Sequence, residues 1–178
     1  MTIDEVYGIR LRPLQRTSAN MIFQAIDGSR NHLGKWLPFA HHTRSVSDTK
    51  RFISMVLDSS CEKKDEIFEI WYQKNFAGLV ALKEIDKVNR KSEIGYWLTE
   101  EMTGKGIMTS ACRLLVDHAF QKMGLNRITI KVASKNEKSK AIPLRLGFRF
   151  EGTEKEGELL NGRFTDLEVY GLLKSEWQ

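Results

Sequence analysis

Apolar and charged positions alternate from residue 7 to 13, with Ile9 and Leu11 set against Arg10 and Arg12. This is the two-residue period of a strand with one buried face. Residues 17–28 change to helical spacing and stop near Gly28. Residues 29–45 hold Trp36, Leu37, Pro38, Phe39 and the pair His41–His42, and read as a short helix and an aromatic loop. Ser45 with Asp48 three residues on predicts a capped helix start, followed by an apolar stripe of Phe52, Ile53, Val56 and Leu57. Three strand-like runs, 66–72, 76–85 and 92–98, are separated by turns at Asn75 and at 87–91, and predict an antiparallel meander. From 104 to 123 the spacing is helical again, with Ile107, Ala111, Leu114, Leu115 and Ala119 inward and a stop at Gly124. The β-branched run 127–132 makes 92–132 a strand–helix–strand crossover, hence a parallel pair. A second helix spans about 136–146, ended by Gly147, and Pro143 inside it predicts a kink or a register break. Runs 148–160 and 163–173 flank Asn161-Gly162, a two-residue hairpin signal. The expected class is α/β with a mixed sheet.

Composition narrows this picture only a little. A chain of 178 residues fits one domain, 1–178, and no repeat, linker or low-complexity tract divides it. Two cysteines, Cys61 and Cys112, cannot build a disulfide framework or a four-cysteine zinc site. No apolar run approaches the roughly 20 residues of a membrane span, and the N-terminus lacks a signal-peptide pattern. The expectation is a cytoplasmic domain with no membrane partner. Twenty-eight Lys and Arg against 23 Asp and Glu leave a charge of +5, which favours an anionic partner without naming one.

Candidate chemistry concentrates in residues 93–109. An apolar strand, Glu93-Ile-Gly-Tyr-Trp-Leu98, runs into a turn with Gly104-Lys105-Gly106, which opens a long helix. First-turn helix amides have no internal partners, and glycines let an anion approach them. A Walker A loop is absent, since no Gly-Lys-Ser or Gly-Lys-Thr occurs. A dinucleotide turn would need glycine where Thr109 stands. A plain helix start accounts for a lone Gly-Lys-Gly about as well as an anion site does.

The wider pattern resolves the choice. Glu93–Thr109 resembles the acetyl-CoA-binding motif of the GNAT N-acetyltransferases, in particular the branch that acetylates ribosomal-protein N-terminal alanines (RimJ/RimL-like). Asn136-Glu-Lys-Ser139, Leu146-Gly-Phe148, Glu151-Gly152 and Asn161-Gly162 … Asp166 … Tyr170 follow in that branch's order and spacing. The resemblance covers nearly the whole chain and is weaker before residue 66. One position departs: the family commonly has Gln or Arg where this chain has Glu101, so the backbone amides and Lys105 are expected to hold the phosphates.

The resemblance implies a GNAT fold with a splayed parallel strand pair that receives pantetheine, and acetyl-CoA as cosubstrate without a metal. It implies cofactor contacts from Trp97, Leu98 and Thr99 on the strand. Gly104, Lys105, Gly106, Ile107, Met108 and Thr109 would follow in the turn, with Asn136 and Lys138 at the second helix. Asn136 either meets pantetheine or caps its helix. The basic run Lys131, Lys135, Lys138, Lys140, Arg145 and Arg149 is a solvated face that serves, in part, the CoA phosphates. Ser139 is the implied donor to the leaving thiolate and Glu158 the implied base acting through a water. Glu66, Glu69 and Glu93 are the runners-up for the base. Trp36 and Phe39 are placed over the acceptor site, with a plain hydrophobic clamp as the alternative.

The implied reaction is direct acetyl transfer to a primary amine in a ternary complex, with a protein N-terminal amine as acceptor. A small amine, a polyamine or an antibiotic is the alternative acceptor within the enzyme class. Adjacent His41 and His42 point apart and do not make a metal site. Cys112 and His118 lie roughly 240° apart on a helix and do not make a nucleophile pair. Two rival classes are a nucleic-acid or ribosome-binding module and a CoA sensor without catalysis. The dispersed basic residues and the lack of an aromatic platform weigh against nucleic acid. A homo-oligomer is compatible with the aromatic loop and the terminal strands.

Overall fold

The computed structural model describes residues 3–6, 8–58 and 65–177. Cys61, expected at a helix end, lies outside them. Eight strands form one sheet: β1 (Ile3–Val6), β2 (Ile9–Pro13), β3 (Glu66–Tyr72), β4 (Asn75–Asp86), β5 (Lys91–Leu98), β6 (Arg127–Ala133), β7 (Arg149–Leu160) and β8 (Arg163–Leu173). Their order across the sheet is β1-β2-β3-β4-β5-β6-β8-β7. All neighbours are antiparallel except β5 and β6, the two ends of the crossover. The helices are α1 (Ala19–Gly28), the single turns α2 (Arg30–Leu33) and α3 (Phe39–His42), α4 (Val46–Leu57), α5 (Ile107–Asp117) and α6 (Glu137–Arg145).

Local chemistry explains most of these boundaries. Ser45 and Asp48 close a reciprocal capping box at the start of α4. Asn161 and Gly162 both take positive φ, 50° and 78°, which is what a two-residue type I′ hairpin turn requires. The predicted helix 104–123 splits: α5 ends at Asp117 and continues as a π-turn, His118–Lys122, before Gly124. β1 was not foreseen, because its partner β2 carries the whole alternating signal.

The two faces of the sheet differ. On one, α5 and the π-turn after it bury Ile107, Ala111, Leu115 and Phe120, and α6 buries Ile142, with Leu11, Ile70, Val80, Leu82, Ile94, Ile128, Ile130 and Leu172 of the sheet. On the other, α1 and α4 cover the sheet as far as β5, packing Ile22, Ile26 and Ile53 with Leu79 and Trp97. Beyond β5, among the described residues, this second face carries only a small cluster, Ala133, Leu160 and Leu167, with Trp36 laid against it. Among the described residues no helix is long and apolar enough to cross a membrane.

Candidate active site

The parallel ladder between β5 and β6 holds for only three pairs, Lys91–Arg127, Ser92–Ile128 and Glu93–Thr129. Beyond it β5 runs on to Leu98 and β6 to Ala133 without pairing to each other, so a gap opens in the middle of the sheet. One edge of β5 stays on β4. There the Thr99 amide donates to the Ala77 carbonyl at 2.9 Å. A Cβ built on Gly78 would sit 2.0 Å from the Trp97 oxygen. Strand alternation therefore turns the backbone of Tyr96 and Leu98 toward the gap, rather than that of Trp97 and Thr99. Of the three strand residues expected to meet pantetheine through the backbone, Leu98 keeps that geometry. Tyr96 joins it, and the side chains of Trp97 and Thr99 are buried on the second face.

At the end of the gap the chain makes its anion-type turn. Gly104 and Gly106 hold φ of 76° and 74°, a region other residues enter at a cost of about 1–2 kcal/mol. No side chain caps α5, and the amides from Gly104 to Thr109 find no acceptor among the described residues. Ile107 and Met108 bury their side chains in the core, so their part is confined to the backbone. Lys105 is exposed beside the turn. This combination of free amides, helix dipole and lysine fits a pyrophosphate. Glu101, with Glu100, Thr99 and Ser29, lines an open cleft of about 400 Å³ against the end of α1.

The basic run is thinner than its sequence. Lys131 pairs with Glu154, Lys140 with Glu137 and Glu168, and Arg149 with Glu176. Lys131 also lies on the second face, away from α6. Lys135, Lys138 and Arg145 are exposed with no carboxylate partner among the described residues.

α6 starts where Asn136 Oδ1 accepts the Ser139 amide at 3.2 Å, so Asn136 is a helix cap. Ser139 Oγ donates to the Tyr96 hydroxyl at 3.1 Å, and that hydroxyl donates to the Ser139 carbonyl at 3.2 Å. Burial pushes the Tyr96 phenol far above its ordinary range, so it stays protonated. Ser139 and Tyr96 thus stand together at the gap, on the α5–α6 face.

Glu158 approaches from the opposite face. β7 is bulged: the three residues between Glu154 and Glu158 lie opposite one, Asp166, on β8. Asp166 pins that bulge by accepting the Glu156 amide and the Lys155 ammonium. Two residues further on, Leu160 packs in the small cluster with Trp36, so Glu158 shares that side of the hairpin. Glu158 accepts no hydrogen bond among the described residues. Partial burial raises its pKa above the ordinary carboxylate value, Lys83 opposes the shift and Glu93 adds to it.

The other carboxylates are committed. Glu69 is buried and takes hydrogen bonds from Ser18 Oγ, the Gln15 amide and Trp71 Nε1. Glu93 binds Lys83 at 2.9 Å. Glu66 faces His118 at 3.8 Å, on the α5 side.

Trp36 and Phe39 bridge the two banks of the gap. Phe39 packs on Trp97 of β5 with ring centres 6.3 Å apart, while Trp36 rests on the hairpin. The Gly34 carbonyl fastens the span, with Asn161 Nδ2 donating at 3.0 Å and His41 Nε2 at 3.1 Å. The span is therefore a hydrophobic clamp laid from β5 to the hairpin. Cys112 is fully buried and its thiol pKa is pushed up by that burial, which removes it as a nucleophile. Among the described residues, no three His, Cys, Asp or Glu side chains gather as a metal site.

Sequence reasoning missed Tyr96, Gly78 and the Gly34–Asn161 bridge. For Tyr96 a signal existed: strand alternation puts it on the face opposite Trp97.

Comparison with known proteins agrees with this geometry. A family model described as an acetyltransferase (GNAT) domain matches residues 9–149. A Bacillus subtilis protein called a putative ribosomal N-acetyltransferase, YdaF, is 40% identical over 171 residues, covering 96% of this chain and 93% of that one. The Escherichia coli ribosomal-protein-serine acetyltransferase is 28% identical, covering 95% and 94%. The spermidine N(1)-acetyltransferase of the same species is 27% identical, covering 89% and 82%. A solved structure of RimL, a ribosomal L7/L12 α-N-protein acetyltransferase bound to coenzyme A, superposes with a TM-score of 0.92 at 25% identity, covering 97% and 98%. The microcin C7 self-immunity acetyltransferase MccE, solved with acetyl-CoA and AMP, gives 0.88 at 30%, covering 93% and 92%. With the splayed pair, the glycine turn and the family model in agreement, the chain belongs to the GNAT family of acetyltransferases.

Proposed function

We propose that this acetyltransferase moves the acetyl group of acetyl-CoA to the α-amine of a protein N-terminus, of the kind ribosomal proteins present in the cytoplasm. The observation that carries the reading is the gap itself, with Ser139 on one face of the sheet and Glu158 on the other. Acetyl-CoA enters along the α5 side, its pyrophosphate on the Gly104–Thr109 amides and its pantetheine beside Tyr96 and Leu98. The acceptor enters from the Trp36–Phe39 side. The thioester carbon sits between them, so transfer is direct.

Each step has a residue. An α-amine has an ordinary pKa of about 7.7–8.0, well below the roughly 10.4 of a lysine, so deprotonating it at neutral pH is cheap. The raised pKa of Glu158 brings a carboxylate closer to that value, and a water relays the proton to it. The N–C bond forms as the carbonyl electrons move to oxygen. The intermediate then collapses with cleavage of C–S, and the electron pair stays on sulfur. Ser139 donates its hydroxyl hydrogen to the departing thiolate and regains a proton from solvent, so the proton that nitrogen releases on forming the amide balances the one gained by sulfur.

Support for a peptide acceptor comes from relatives that act on ribosomal proteins. The charges on the acceptor face weigh against a polyamine. Lys83 and Lys131 already neutralise Glu93 and Glu154 there. A polycation would find few free carboxylates. The test is thiol release from acetyl-CoA over a panel of N-terminal peptides and of small amines including spermidine. Peptides beginning with Ala or Ser should be turned over. Turnover of amines alone, with every peptide inert, overturns the acceptor choice, and acetyl-CoA binding with no thiol release on any acceptor overturns the enzyme reading.

A further inference from the structure

α6 contains Pro143, which should have broken it, yet the helix runs unbroken from Glu137 to Arg145. Proline lacks the amide that would donate to the carbonyl four residues earlier, and its ring pushes that carbonyl off the helix axis. Four residues before Pro143 is Ser139. The displaced carbonyl is the one that accepts the Tyr96 hydroxyl at 3.2 Å, and the same hydroxyl accepts Ser139 Oγ at 3.1 Å. Backbone and side chain of one serine are therefore gripped by a single phenol. With Asn136 Oδ1 on the Ser139 amide, three groups of this residue are held from outside its own helix ladder.

We infer that Tyr96 is the positioning residue for Ser139, and that Pro143 is the substitution in α6 that makes the Ser139 carbonyl available to it. The proposal rests on the reading of Ser139 as thiolate donor. A serine hydroxyl rotates freely, and its alternative acceptor inside a helix is the carbonyl three or four residues back. The Tyr96 oxygen draws Oγ toward the gap instead. The contact keeps the hydroxyl within a rotation of sulfur on the pantetheine strand, since Tyr96 itself lies on β5. The phenol stays protonated throughout, because its burial disfavours phenolate.

The experiment is steady-state kinetics on Ser139→Ala, Tyr96→Phe, Pro143→Ala and the pairwise combinations, with KM for acetyl-CoA and Tm measured on each. Tyr96→Phe keeps the ring and removes the grip, and should lower kcat about three- to tenfold, the worth of one hydrogen bond, with KM for acetyl-CoA nearly unchanged. Added to Ser139→Ala it should cost nothing more, since both changes disable one unit. Pro143→Ala restores an amide that recaptures the Ser139 carbonyl, so Tm should rise while kcat falls. In the Tyr96→Phe background the same change should leave kcat alone. A purely structural role for Tyr96 would move Tm and leave the non-additivity absent. Wild-type turnover in Tyr96→Phe alongside an impaired Ser139→Ala overturns the positioning role alone. Independent, multiplying losses in the double variant do the same. Wild-type turnover in Ser139→Ala overturns the donor reading on which the proposal stands.

Discussion

The two banks of the gap are built to different densities. On the α5 side every inward position of a long helix is buried, and the ligand-facing groups are backbone amides fixed by two glycines in left-handed conformation. On the acceptor side three buried residues and one tryptophan hold the aromatic loop to the hairpin, with a single carbonyl, that of Gly34, as the knot. On the function proposed above, the first bank would recognise a constant molecule, the cofactor, and rigidity there carries no penalty. The second would admit the acceptor, and a thin contact lets the loop and hairpin change without disturbing the core. On that reading specificity belongs to the region with the least packing.

The change expected to erase the difference is Gly78→Ala, because from β4 it displaces β5, the strand both banks share. Gly78 has φ of 157° and a Cβ there would meet the Trp97 backbone oxygen at 2.0 Å, an atom that moves only with its strand. β5 must shift, which should cost about 3 kcal/mol, or roughly 6–12 °C in Tm for a chain of this size. Thermal denaturation checks it, and an unchanged Tm would mean that β4 and β5 have slack where they appear fixed.

Glu158→Gln separates the banks instead. It should lower kcat about 10- to 100-fold at neutral pH with KM for acetyl-CoA untouched. The loss should shrink where the amine deprotonates unaided, and the acidic limb of the pH–rate profile should disappear. A profile identical to wild type removes Glu158 from the base role. The stability sign is opposite. A carboxyl whose folded pKa is raised binds its proton more tightly in the native state. Native stability therefore falls as pH rises from the ordinary carboxylate value through the raised one. Glu158→Gln should be slightly more stable at pH 7, by less than about 1 kcal/mol because the group is half-exposed, and the gain should vanish in acid.

How far each bank could be read from the sequence follows the same division. Strand 66–72, helix 46–57 with its Ser45–Asp48 box, the Asn161-Gly162 turn and the 92–132 crossover are all encoded by residues close together, and each forms as spaced. The glycine turn is equally local. What stayed hidden needed register or partners distant in sequence. Thr99 reads as a cofactor contact until its amide is seen on Ala77. Lys131 and Lys140 read as free cations until β7 and β8 bring Glu154 and Glu168 to them. Glu69 is indistinguishable from Glu158 in a string of letters, and only the fold surrounds it with three donors. Pro143 was visible as a disruption, but what took up the released carbonyl was not.

On the cofactor bank the sharpening change is Gly106→Ala. Left-handed φ makes the alanine strained by about 1–2 kcal/mol, and nothing within 4 Å crowds its Cβ, so the core is spared. The strain falls on the turn that presents the amides. KM for acetyl-CoA should rise about five- to tenfold, with the acceptor KM unchanged. A rise in the acceptor KM of similar size would show that the banks are mechanically coupled.

The smallest effect expected is from Asn161→Gly, which isolates the bridge. Glycine keeps the positive φ that the turn demands, so the hairpin retains its register. Only the Nδ2 bond to the Gly34 carbonyl is lost, and His41 Nε2 remains on that oxygen, so no buried acceptor is orphaned. The cost should stay near 0.5–1 kcal/mol, read as about a two- to fivefold rise in acceptor KM with kcat and cofactor KM held. If the loop and hairpin govern which amine is admitted, the ratio of turnover between two different N-terminal peptides should change as well. A uniform loss over every acceptor would instead make the bridge a brace for the fold, and would move specificity back to the walls of the gap.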